Sequence, residues 1–226
     1  MTDKFPFIAL LEAKNMVKTK QRLPKYKQRF LEDLQYGLEH SVNYFADENK
    51  QTRESWIVHE FLSNLELPFL ETEIITSPSD PPDVIFRDAL FEIKEILDHG
   101  RRRHQEFKEQ LIRSFTVEDP ADLLSPCVLI YDLTPQDIIQ LIEEKLKQLE
   151  KKYAPAVRFK LDLLFYINWI HHTLKIERMP DLNGLEKFGW RSITALFGWA
   201  SIIYYASDAA PGFLQEKRSQ LIVKTF

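Results

Sequence analysis

The middle of the chain carries two short apolar runs of β type, and helix-like stretches lie on either side of them. The runs 83–87 and 90–96 are rich in Val, Ile and Phe, and Asp88-Ala89 is short enough to join them as a hairpin. Before them, Lys50 to Leu65 reads as a helix, Phe69 to Thr76 as a first strand, and Ser77 to Pro82, with three prolines, as a turn. After them, 101–115 reads as a helix, Cys127 to Tyr131 as a buried strand, and Pro135 to Tyr153 as an amphipathic helix with Ile138, Ile142, Leu146 and Leu149 on its apolar side. Leu161 to Trp169 fits either a further buried strand or a helix. Strands alternating with helices predict an α/β fold.

Three charged residues, Asp83, Glu92 and Lys94, interrupt the apolar hairpin. Pairing across Asp88-Ala89 sets Asp83 opposite Lys94 and Ile85 opposite Glu92. Opposed residues and residues two apart share a sheet face, so the three charges converge while Phe91 and Ile93 point to the other side. A one-residue slip would send Asp83 to the wrong face. Such a cluster has two physical solutions. Carboxylate oxygens can hold a hard divalent cation such as Mg²⁺, which binds and polarises a phosphate, with the lysine orienting an attacking water. Alternatively, Asp83 and Lys94 form a cross-strand salt bridge and Glu92 is solvated.

Pro82-Asp83, a gap, then Glu92-Ile93-Lys94 resembles the signature of the PD-(D/E)XK nuclease superfamily. That resemblance implies a restriction-endonuclease-like core of helix, three strands, helix and strand. It also implies Mg²⁺, with Mn²⁺ as the alternative, held by Asp83, Glu92 and the Ile93 carbonyl, and Lys94 assisting the water. In the superfamily the first helix often supplies a further glutamate. Glu54 extends the stripe of Val58, Phe61 and Leu65 at about 100° per residue and is the candidate, with Glu60 well off the stripe. Equally, Glu54 is a first-turn acid suited to the helix dipole.

A closer resemblance rests on Arg53-Glu54-x-Trp56, Pro81-Pro82-Asp83-Val84-x-Phe86-Arg87, Phe91-Glu92, Leu97-Asp98-x-Gly100-Arg101-Arg102 and Gly189-Trp190-Arg191-Ser192. These are similar to a bacterial family of unknown function described as endonucleases, from about residue 49 to the C-terminus. The expected organisation is an N-terminal basic arm, 1–48, and a single nuclease-like domain, 49–226, with C-terminal additions.

A chain of 226 residues that is 44% hydrophobic can bury a real core, and its 28% charged content points to a soluble protein. No secretory or lipidation signal and no membrane span are read, and a single cysteine fits the reducing cytoplasm. Cys127 lies in an apolar run without a local basic neighbour and reads as core. The net charge of -4 is unusual for a nucleic-acid enzyme, so local positive surface must compensate. Lys14, Lys18, Lys20, Arg22, Lys25, Lys27 and Arg29 form a basic arm, for which a homodimerisation role is the competing account. Arg101, Arg102 and Arg103 follow the hairpin and are the candidates for binding a phosphate backbone, although they face several directions of a helix. Arg191 fits a phosphate contact or, more commonly beside a tryptophan, a carboxylate inside the fold.

His171 and His172 diverge as neighbours and read as structural. No phosphate-binding loop, nucleophile elbow, zinc-binding cysteine set or repeat is found. The sequence therefore points to a metal-dependent nuclease acting on nucleic acid, DNA first. The acidic total leaves a second reading, a catalytically inactive nuclease-fold module that binds nucleic acid or protein.

Overall fold

The computed structural model describes residues 23–124, 129–182 and 184–224. In chain order these form α1 (Lys25–Tyr44), α2 (Lys50–Asn64), β1 (Ile74–Thr76), β2 (Val84–Phe86), β3 (Ala89–Leu97), α3 (Arg103–Ser114), β4 (Tyr131–Leu133) and α4 (Pro135–Lys152). There follow α5 (Pro155–Arg158), β5 (Asp162–Asn168), β6 (His172–Leu174), β7 (Ser192–Phe197), β8 (Ala200–Ala206), α6 (Gly212–Gln215) and β9 (Gln220–Val223). The chain divides into two compact units, one of described residues 23–50 and 100–124 and the other of 51–99 and 129–224. The first division falls after Lys50, and the segment from Gly100 groups with the N-terminal unit.

In the smaller unit, the Phe45 and Phe107 rings stack with centroids 5.4 Å apart, and the Arg103 guanidinium lies 3.6 Å above Phe45. Gln35 donates to the Ser114 carbonyl at 3.1 Å, and Lys27 pairs with Asp119. Aromatic stacking and an arginine over a ring give this small unit cohesion where few apolar side chains are buried.

The larger unit is built on a seven-stranded mixed sheet in the order β1-β2-β3-β5-β7-β8-β9. β3, β5 and β7 run parallel at its centre, and antiparallel pairs flank them. Phe91 and Ile93 face α2, where Ile57, Val58, Phe61 and Leu62 are buried with them. On the opposite face Ile96, Leu163, Phe165 and Ile167 pack with Ile138, Ile142 and Leu146 of α4. Each such fully buried side chain contributes about 1.5–3 kcal/mol, so these stripes hold two otherwise polar helices on the sheet. Leu161 to Trp169 resolves as strand β5, and it is β5 that pairs with β3. Of the expected fourth strand, Cys127 to Tyr131, the first two residues lie outside the described ones, Leu129 and Ile130 are not in a strand, and Tyr131 begins β4, which among the described residues pairs with β6 and not with this sheet. The first strand is shorter than expected because Glu71–Glu73 closes a single helical turn, with the Glu73 carboxylate accepting from the Leu70 N–H at 2.8 Å.

The hairpin register differs from expectation by two residues. Phe86 opposes Ala89 and Val84 opposes Phe91, so the turn is Arg87-Asp88 and Asp83 stands at the level of Glu92, not Lys94. Ala89 is fully buried and is drawn into the strand. Arg87 takes the left-handed φ of +52° that the turn requires, and its side chain is tied to Glu73 at 2.7 Å and to the Pro68 carbonyl at 2.9 Å. A shift of two leaves every side chain on its face, so the charges still converge.

Asp162 fastens the hairpin to the central strands. Its buried carboxylate accepts from Arg191, the Ser192 hydroxyl and the Leu90 N–H, while Arg191 also donates to the Asp88 carbonyl at 2.9 Å. Burial pushes this carboxyl up, and the Arg191 guanidinium opposes that shift. Arg191 is thus a structural cation. Replacing it leaves a buried carboxylate uncompensated: Arg191→Leu is expected to lose about 3–5 kcal/mol in denaturant unfolding. Asp162→Leu/Arg191→Leu should regain much of that loss, and a single-variant loss below about 1 kcal/mol would contradict the assignment.

α4 begins with a capping box in which Thr134 and Asp137 satisfy each other's backbone N–H groups. Thr134→Ala is expected to cost about 1 kcal/mol by the same measurement. The Thr134 hydroxyl and N–H hold the Asp137 carboxyl below its ordinary value of 3.8. That part of the stability is present above the ordinary value and is lost as pH falls through the lowered one, so the difference between wild type and variant should shrink in acid.

Candidate functional site

The site forms where β2 stops. β2 has three residues and β3 has nine. The Asp83 N–H donates to the Phe91 carbonyl at 2.9 Å, and beyond that rung the chain leaves β3 through Pro82 and Pro81. The N–H and C=O of Ile93 point to the vacated edge, where buried backbone groups need other partners. Asp83 Oδ2 accepts from the Ile93 N–H at 2.8 Å, and Lys94 Nζ donates to the Ile93 carbonyl at 2.9 Å. Two of the charged side chains are therefore placed by the backbone they complete.

Asp80, Asp83 and Glu92 each present a carboxylate oxygen within 4.8 Å of the others. Asp80 is exposed, Asp83 is 7% exposed and Glu92 only 1%. Lys94 Nζ bonds to Glu92 Oε1 and lies 3.9 Å from Asp83 Oδ2. The Tyr153 hydroxyl donates to the same Oε1 at 2.5 Å. Burial, then the hydrogen bond to Glu92, then the charges of Glu92, Asp80 and Asp83 push the Tyr153 hydroxyl far above its usual range, so it remains a donor. Glu92 Oε2 is buried and has no hydrogen-bond partner among the described residues.

Three carboxyl groups and the Lys94 ammonium thus share this spot among the described residues. A pair of ionised carboxylates at this spacing repels by about 3 kcal/mol at an effective dielectric near 20. The donors are all oxygens, which suits a hard divalent cation, and the orphaned Oε2 of Glu92 is a buried acceptor still lacking a counterpart. The residues present fit Mg²⁺ or Mn²⁺. Of the salt-bridge alternative, the Asp83–Lys94 pair does form, at 3.9 Å, but Glu92 is buried instead of solvated and bonds to the same ammonium.

Asp83, Glu92, Lys94 and the Ile93 backbone are brought together as the sequence predicts. Asp80, from the proline-rich turn, and Tyr153, just after α4, join them and were not singled out by sequence. Glu54 is buried on α2 and is not one of the three grouped carboxylates. Arg101, Arg102 and Arg103 belong to the smaller unit, where Arg101 pairs with Glu106 at 2.9 Å and Arg103 covers Phe45. Arg191 is committed to Asp162. His172 Nδ1 lies 2.9 Å from the Ile170 carbonyl beside the Trp169 ring, in keeping with a structural histidine. Lys14, Lys18, Lys20 and Arg22 of the basic arm lie outside the described residues. No helix among the described residues is long and apolar enough to cross a membrane.

The fold resembles that of a Pseudomonas aeruginosa protein described as a protein of unknown function of the monooxygenase superfamily, with a TM-score of 0.57. The two are 19% identical, and the match covers 87% of this chain and 95% of that one. At that identity the likeness concerns the fold alone. No curated protein matches the chain. Residues 27–225 match a protein family over most of the chain's length. The chain therefore belongs to the family described as "Putative endonuclease, protein of unknown function (DUF1780)".

Proposed function

We propose that this protein is a metal-dependent nuclease that hydrolyses phosphodiester bonds of nucleic acid, with DNA as the expected substrate. Asp83 and Glu92, together with Asp80 and the Ile93 carbonyl, would hold Mg²⁺ or Mn²⁺. The observation that carries this reading is the excess of carboxylates at one spot, one of them 99% removed from solvent with an oxygen left unpartnered. The cation would supply a Lewis acid that polarises a phosphate oxygen. Lys94, whose Nζ lies among Glu92 Oε1, the Ile93 carbonyl and Asp83, would orient a water and donate to the developing charge. Because the acidic group would repel a phosphate, binding of the backbone at this spot needs the cation.

Two further observations support the reading. After α2-β1-β2-β3, and with α3 and β4 intervening, come α4, packed on the sheet, and β5, parallel to β3, an order that resembles helix, three strands, helix and strand of the PD-(D/E)XK core. The family description names an endonuclease. Glu54 is given no place in the ligand set.

Purified protein should cleave plasmid or oligonucleotide DNA with Mg²⁺ or Mn²⁺ and stop when the metal is chelated. Asp83→Ala and Lys94→Ala should each lower the cleavage rate by at least about 100-fold. Variants as active as wild type would refute the assignment. Tight nucleic-acid binding that ignores chelator, without cleavage of DNA or RNA, would favour the non-catalytic module instead.

A further inference from the structure

The geometry points to Tyr153 as a positioning residue for the candidate metal site, and this inference rests on the metal reading of Asp83 and Glu92. Glu92 is buried beside apolar residues on the sheet face it shares with Lys94, so its carboxylate orientation is set by the few donors within reach. Oε1 takes two of them, the Tyr153 hydroxyl at 2.5 Å and the Lys94 ammonium. Oε2 takes none among the described residues. Tyr153 thereby divides the two oxygens, fixing one to the protein and leaving the other for a cation.

Tyr153 is itself held. It follows the last turn of α4, its N–H donates to the Leu149 carbonyl at 2.9 Å, and its ring meets Trp190 edge-on with centroids 5.4 Å apart. Lys94 Nζ lies 5.8 Å from the centre of the same ring. One side chain therefore orients the carboxylate and also borders the ammonium that would serve the water. Partners of this kind, one bond beyond the ligand, are usually worth 10–100-fold in metal affinity.

Tyr153→Phe removes the hydroxyl and keeps the ring. Titration of the metal-free protein with Mn²⁺, followed by calorimetry and by the loss of the free-ion EPR signal, should show a dissociation constant raised at least about tenfold. The unfolding midpoint measured without metal serves as the control for packing and should change little. A constant within about twofold of wild type, while Glu92→Gln abolishes binding, would overturn the role of Tyr153 and leave the metal site standing. Absence of Mn²⁺ binding by wild type would overturn the metal reading itself, and the Tyr153 role with it. Should Tyr153→Phe not fold, 3-fluorotyrosine placed at position 153 provides a ¹⁹F resonance. That resonance should move as Mg²⁺ is added, and a stationary signal under saturating Mg²⁺ would overturn the inference.

Discussion

A carboxylate placed on an apolar sheet face must be met by donors or by a cation, and the burial of Glu92 imposes that condition on everything near it. Ile96, Leu163 and Phe165 make its face of the sheet a hydrophobic core. Lys94 and Tyr153 meet one oxygen and nothing described meets the other. Asp83 then adds a second buried carboxylate beside Glu92, and Asp80 a third carboxylate at the surface. An arrangement of this kind is costly for stability and economical only for chemistry, which is the physical reason to look for function here.

The surrounding fold delivers these groups through strand length. Because β2 ends early, the backbone of Ile93 is left open on one edge, and Asp83 and Lys94 complete it. The hairpin that carries them is anchored at its turn by Arg191, through the Asp88 carbonyl and Asp162, and by the Leu90 N–H on Asp162. Asp162 and Arg191 thus stabilise the end of the hairpin away from the site, and the site itself is relieved of that task.

Much of this was legible in the sequence where the evidence is local. Asp83, Glu92 and Lys94 share a face because of strand parity, and parity survived a two-residue error in register caused by Ala89 entering the strand. Asp80 was hidden because only the path of the proline-rich turn returns it toward Asp83. Tyr153 was hidden because its partner is 61 residues away. At the level of the fold, the apolar run at Cys127 to Tyr131 looked as strand-like as the one at Leu161 to Trp169. Only tertiary pairing chose the second as the neighbour of β3. For Glu54 the helical stripe correctly marked a buried position.

The most direct measurement is an anomalous difference map from crystals soaked in Mn²⁺. The expected result is a peak about 2.0–2.3 Å from carboxylate oxygens of Asp83 and Glu92, with Asp80 alongside or bound through water. A saturating soak that leaves this position empty, with the Lys94 ammonium still seated on Glu92, would contradict the proposed metal site.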